Sequence, residues 1–347
     1  MAPAPPASKE TRVVFSCGGR DFTVRDVIDA AHFRGELEPF WRTLLLRQAA
    51  EEKAAATDAE PDETAIDEAA VAFRYQYDLI TAEETEAWLE ARGLTLSDFS
   101  EYFARVQWGE MFAGRIDPPA REFADARAEE RELLAADLIL GGDFDPLAAR
   151  LAWRVAAFDA ANGEVKEEEQ PLARLDAAAI GRDENWLQEM SQMEAAYRAR
   201  CEQRLSAEAR QRELGSLRLP LTRFDVEMIE LESRDAASEA FLCVRDDGMS
   251  MQEVAEEGRY PFRRTELVLE QIPDDLQQKF LSSTPGSLLE PTAREDGYIL
   301  TKLVQKKEPS LDDPEVRARV ERRILERHFS DVSSGRIQWR IMMNGAE

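Results

Sequence analysis

The sequence predicts an α+β protein, with a helical N-terminal unit completed by a helix and a strand from the C-terminus, and a compact unit in which strands alternate with short helices. Three observations carry that expectation. Capped segments with apolar residues at helical spacing follow one another from Leu37 to Val106. Phe224, Val226 and Met228 then alternate with Asp225 and Glu227, as a half-buried strand requires. Finally, Arg336 to Met342 alternates with Ile337, Trp339 and Ile341 on one face, and the segment near Val13 to Phe15 is its natural partner.

In chain order, Thr11 to Cys17 reads as a short strand, followed by a Gly18-Gly19 turn and an extended Asp21 to Val24. Leu37, Phe40, Trp41, Leu44 and Leu45 fall on one helical face. The Ala-, Glu- and Asp-rich Glu51 to Glu63 is expected to fray into a loop before Ile66, Ala70, Phe73 and Tyr77 resume the helical period. Thr81 with Glu84 forms a capping box, in which hydroxyl and carboxylate satisfy amides at the helix start, and Gly93 supplies a left-handed stop. Thr95 with Asp98 repeats the start signal ahead of Phe99, Tyr102, Phe103 and Val106. Helices are expected near 121–138, 145–158 and 184–213, interrupted by the acidic Val165 to Gln170.

Past Leu219-Pro220 comes the alternating strand, then helices over Asp235 to Val244 and Ser250 to Glu256 around an Asp246-Asp247-Gly248 turn. An extended piece from Arg263 to Leu269, a helix from Pro273 to Leu281 and a strand from Gly297 to Val304 complete this unit. Asp313 caps a helix whose first position is Pro314 and whose stripe is Val316, Val320, Ile324 and Leu325. The expected organisation is a disordered tail over 1–10, a helical domain over 11–117, a helical middle region over 118–218, an α+β domain over 219–308, and a C-terminal helix and strand over 309–347 that pack on the N-terminal domain.

Seventy acidic residues against forty-four basic ones leave a formal charge of -26, which disfavours nucleic acid and anionic membrane as partners. The same charge also serves plain solubility. No segment has the length and apolarity of a membrane span, and Met1 to Glu10 lacks the apolar core of a secretory signal. Cys17, Cys201 and Cys243 have no metal or disulfide spacing, so cytoplasmic residence is the expectation.

The segments Pro273 to Phe280, Thr284-Pro-Gly-Ser-Leu-Leu-Glu-Pro291 and Asp296-Gly-Tyr-Ile-Leu-Thr-Lys-Leu303 resemble the late helix, the Gly-containing turn and the closing strand of a parvulin (PpiC-related) peptidyl-prolyl isomerase domain. With the helical flank before it and the returning helix and strand after it, the chain resembles SurA-type chaperones and their relatives in peptide-maturation systems. The resemblance implies two histidines on adjacent strands, and a Cys or Asp in a loop ahead of a Gly-Gly strand. Here the histidine positions fall at Met228 and Ile299, neither able to make those hydrogen bonds, and the loop is shortened to Gly258-Arg-Tyr-Pro-Phe-Arg.

The resemblance therefore implies a peptide-binding hollow without proton-handling side chains. Phe280 matches its floor, and Met228, Leu276 and Ile299 line it; the same four residues would equally serve as the core of a small domain. The function expected is that of a chaperone-like polypeptide binder that assists maturation of a peptide or protein substrate. The alternatives are an active peptidyl-prolyl isomerase with an altered site, and an acidic scaffold for a peptide-modifying enzyme. The expected partner is an extended or unfolded polypeptide, with a peptide-modifying enzyme second; no cofactor, metal or catalytic residue is expected.

Other candidates have plainer readings. With His32 and His328 as the chain's two histidines, no three-histidine metal site is possible; His328 reads as a helix-end residue and His32 as a helix-surface or turn residue. Gly141-Gly-Asp-Phe-Asp-Pro146 lacks the downstream Glu of a calcium loop and reads as a turn with a helix cap. Cys243, beside Phe241 and Leu242, reads as a small hydrophobe. Most of the tryptophans, Trp41, Trp88, Trp153, Trp186 and Trp339 among them, read as core, with Trp108 the one to watch at a domain junction.

Overall fold

A computed structural model describes residues 8–161 and 177–341; the acidic Val165 to Gln170 stretch, residues 1–7 and Met342 lie outside the described residues. The chain divides into two compact units, Met1–Cys201 with His328–Glu347, and Glu202–Arg327.

In the first unit, β1 (Val13–Cys17) and β2 (Arg20–Thr23) form an antiparallel hairpin about Gly18-Gly19. Thr23 then starts α1 (Val24–Phe33) through a capping box with Asp26. The helices α2 (Glu38–Thr57), α3 (Glu63–Gln76), α4 (Ala82–Ala91) and α5 (Leu96–Met111) follow. Both expected capping boxes form: the Glu84 amide donates to Thr81 Oγ1 at 3.1 Å while the Thr81 amide donates to the Glu84 carboxylate at 2.8 Å, and Thr95 with Asp98 does the same. α6 (Ala128–Leu140), α7 (Phe144–Ala160) and α8 (Glu184–Arg204) complete this part.

Four expectations are corrected here. α2 does not fray at Glu51, because Ala50 and Ala54 are buried and anchor the turns up to Thr57; the left-handed Asp58 ends it. Asp143 makes no side-chain cap at the start of α7, although Gly142 does make the left-handed turn. The described residues of 118–201 pack as part of the N-terminal core: Leu134, Leu138, Leu147, Leu151 and Trp186 share one cluster with Trp41 and Phe103. Lys9 and Glu10 are not a free tail, since the Lys9 amide donates to Glu132 at 2.9 Å and the Glu10 carboxylate accepts from Arg131 Nε at 2.8 Å.

Two buried carboxylates tie the helices of this unit together. Asp29 of α1 is fully buried and accepts from Arg131 and Arg182, each at 2.6 Å. Asp137 of α6 accepts from Arg105 of α5 at 2.7 Å and from Arg47 of α2 at 3.0 Å. Burying a carboxylate forfeits its hydration, and the guanidinium donors around each aspartate offset that cost.

The second unit starts at α9 (Ala207–Leu217). A single helix over 184–213 was expected, but the Ser206 hydroxyl accepts from the Ala209 amide at 3.1 Å and restarts the helix there. Then come β3 (Arg223–Leu231), α10 (Arg234–Arg245), α11 (Met251–Gly258), β4 (Phe262–Val268), α12 (Asp274–Ser282), the unanticipated short β5 (Thr292–Arg294) and β6 (Gly297–Lys307). The four strands form an antiparallel sheet in the order β4-β3-β6-β5. Helix α13 (Pro314–Ser334) follows, with the Asp313 carboxylate accepting from the Glu315 amide at 2.8 Å as expected; its Val316 and Val320 pack with Leu214 and Leu217 of α9. Because α13 continues to Ser334, His328 is not at a helix end.

The chain closes on β7 (Ile337–Trp339), which pairs antiparallel with β1, placing Phe15 opposite Trp339 and Cys17 opposite Ile337. The expected joining of the two terminal strands is present, and the fold is α+β. Among the described residues no helix is long and apolar enough to cross a membrane.

Candidate functional site

Period-two alternation gives the four-stranded sheet two apolar faces with different covers. Ile229, Leu231 and Leu300 face α10 and α11 and cluster with Ala237, Ala240, Met251 and Val254. Phe224, Val226, Met228, Ile299 and Leu303 face the other way and cluster with Leu269, Ile272 and Phe280. α12 covers this second face only in part. Its Leu276 and Phe280, one turn apart, lie on the stripe turned to the sheet, while Pro273, Asp274 and Asp275 start the helix, the aspartates complementing its N-terminal dipole.

The partial cover leaves a hollow of about 80 Å³, walled by Met228, Leu267, Ile272, Leu276, Phe280, Leu289, Ile299 and Thr301. Its rim carries the exposed Gln271, Pro273, Lys279, Glu290 and Arg294, so it opens to solvent on that side. An apolar cavity near 150 Å³ accommodates benzene. A hollow about half that size suits a short aliphatic side chain or a prolyl ring.

All four residues singled out from sequence, Met228, Leu276, Phe280 and Ile299, border this one hollow. Met228 on β3 pairs with Thr301 on β6, and Ile299 lies two residues along the same strand and face. Both side chains are buried and neither carries a hydrogen-bonding group. The two histidines of the chain, His32 and His328, belong to the first unit, so the second unit has none. Cys243 is half-buried and packs with the α10–α11 cluster, on the sheet face away from the hollow.

Backbone constraints shape the neighbourhood. Gly297, at the start of β6, has φ +145°, and a Cβ there would lie 2.4 Å from the Leu231 carbonyl oxygen. Only glycine lets the β5–β6 turn approach β3 so closely. In the shortened loop, a Cβ on Gly258 would strike the Tyr260 ring at 2.0 Å, and Arg259 takes the left-handed conformation that ends α11. The loop contributes no side chain to the hollow.

Sequence reading missed Thr301, Leu267, Ile272 and Leu289 as walls. The signal for Thr301 was present, since it keeps step with Ile299 and Leu303 on the apolar face of β6. Leu267 and Leu289 come from β4 and from the segment before β5, whose sides no local periodicity marked. Away from the hollow, His32 is half-buried in α1 with its ring edge-on to Phe123, centroids 5.0 Å apart, rather than on the surface. Burial holds its pKa below the ordinary imidazole value. Trp41 and Trp186 are buried, and Trp88, Trp108, Trp153 and Trp339 half-buried. Among the described residues, no group of three His, Cys, Asp or Glu side chains could hold a metal ion.

The second unit thus presents a sheet and helices in the order that the parvulin resemblance implied: strand, helix, helix, strand, short helix, closing strand. No protein-family model matches the chain, and no curated protein matches it. Among solved structures it is similar to foldase protein PrsA from Streptococcus pneumoniae, at 12% identity over 93% of each chain with a TM-score of 0.24. Peptidylprolyl isomerase PrsA from Bacillus anthracis matches at 14% identity over 56% of this chain and 86% of that one, TM-score 0.24. The Bacillus cereus PrsA matches at 14% identity over 58% and 85%, TM-score 0.28. Function is therefore read from this chain's own residues.

Proposed function

We propose that this chain is a chaperone-like polypeptide binder that seats an aliphatic or prolyl side chain of an extended segment in the hollow between α12 and the β3–β6 face, and in that way assists maturation of a peptide or protein. The observation that carries the reading is the pairing of an apolar, solvent-open hollow with Met228 and Ile299 at the positions where the resembled isomerases carry histidines. Such a hollow supplies burial and shape, while the resembled isomerases use histidines that Met228 and Ile299 cannot replace. Cytoplasmic residence belongs to the same proposal, supported by three cysteines that form no disulfide among the described residues.

The test is binding of a fluorescein-labelled, chemically unfolded polypeptide, followed by anisotropy. Wild-type protein is expected to bind. Leu276→Glu, which puts a carboxylate on the half-buried wall, is expected to lose binding with little change in melting temperature. A prolyl-isomerisation assay separates the enzyme reading: substantial turnover that disappears in Met228→Ala with Ile299→Ala replaces the binder by an isomerase. A co-purifying enzyme that stays bound to Leu276→Glu favours a scaffold.

A further inference from the structure

Thr301 stands apart from the other walls of the hollow. It is 7% exposed, sits opposite Met228 on the neighbouring strand and is flanked on its own face by Ile299 and Leu303. Its side chain forms no hydrogen bond with the rest of the described chain. The other sheet hydroxyl at the hollow, that of Thr292, meets the Glu290 carbonyl oxygen at 3.5 Å. The hydroxyl is not among the fully buried, unpaired side-chain atoms of the described residues, so it stays accessible from the hollow with its donor open to an incoming group.

Taking as its basis the reading of the hollow as a polypeptide site, we infer that Thr301 is a specificity-determining residue: its hydroxyl donates a hydrogen bond to a main-chain carbonyl of the bound segment, at the residue whose side chain fills the hollow. The ligand class is an extended peptide that presents an aliphatic or prolyl residue with its carbonyl turned to β6. The apolar walls select the side chain by size, and Thr301 selects the orientation of the backbone. A hydroxyl suits this task because it donates to a carbonyl without bringing a charge into the hollow.

Two measurements on the same variants test this. The probe is a fluorescein-labelled Ala-Gly-Val-Pro-Gly-Ala peptide, with Ala-Gly-Gly-Gly-Gly-Ala as its control. Thr301→Val keeps shape and volume while removing the hydroxyl, and is expected to weaken binding of the Val-Pro peptide about tenfold, the effect of one neutral hydrogen bond, with the melting temperature little changed. Thr301→Ser is expected to regain most of the affinity. A purely structural role predicts a lower melting temperature for Thr301→Val and no rescue of affinity by Thr301→Ser at equal stability. Unchanged affinity in a folded Thr301→Val protein overturns the inference and leaves the hollow as a binding site. Folded wild-type protein that binds neither peptide nor unfolded polypeptide overturns both.

Discussion

Phe280 of α12 meets Phe224 of β3 edge to face, with ring centroids 5.3 Å apart, and this contact seats the helix on the sheet at the base of the hollow. Edge-to-face geometry aligns the positive rim of one ring with the negative face of the other. Phe280→Ala removes that contact and a buried ring, so it is expected to cost about 3–5 kcal/mol of unfolding free energy, with the enlarged hollow lowering peptide affinity. Urea denaturation gives the first quantity and anisotropy the second. A loss below about 1 kcal/mol would show that α12 is not held by this contact.

Gly297 makes a separate prediction because its constraint lies in the backbone. Gly297→Ala brings a Cβ against the Leu231 carbonyl at a φ that L-residues avoid. The β5–β6 turn must then shift, with a loss of about 1–3 kcal/mol for the strained residue alone. Amide exchange should quicken at Thr292–Arg294, leaving the first unit unchanged.

In the first unit, Asp137→Ala removes the carboxylate that compensates Arg105, whose side chain is 5% exposed. Breaking a buried pair from one side is expected to cost about 3–5 kcal/mol. Arg47→Met, Arg105→Met and Asp137→Leu together should recover much of the loss, since a well-packed apolar trio needs no compensation. The comparison needs thermal melts of both variants.

The burial of His32 predicts a pH dependence. Its folded pKa lies below the unfolded value, mainly through desolvation, with Arg131 also lowering it while Asp29, Glu122 and Glu38 oppose the shift. Between the two values the unfolded chain binds more protons, so stability rises with pH there. The contribution is fully present above the ordinary value of 6.5 and fades as pH falls through the folded value. Urea midpoints should decline from pH 7.5 toward pH 5 in wild type and decline less in His32→Leu. Identical slopes would assign the acid loss to other groups.

Local chemistry made much of this fold legible. The boxes at Thr81/Glu84 and Thr95/Asp98, and Pro314 behind Asp313, declare helix starts within four residues. Alternation at Phe224 to Met228 found the face that lines the hollow. What stayed hidden depends on tertiary contact. The last turns of α2 have no large apolar residue and rest on two alanines, and β5 has too few residues for its side to be read. Thr301 shows the same limit at the site. Its in-phase position was visible, but the missing hydrogen bond exists only once β3, β6 and α12 are assembled.

The joining of β7 to β1 bears on synthesis. Residues 337–339 leave the ribosome more than three hundred residues after their partner at 13–17, so the sheet order β2-β1-β7 waits for nearly the whole chain to emerge. Glu202–Arg327, which is contiguous in sequence, has no such wait. A ribosome stalled before Ile337 would carry β1 with its outer edge bare, a template for unwanted strand pairing until translation resumes.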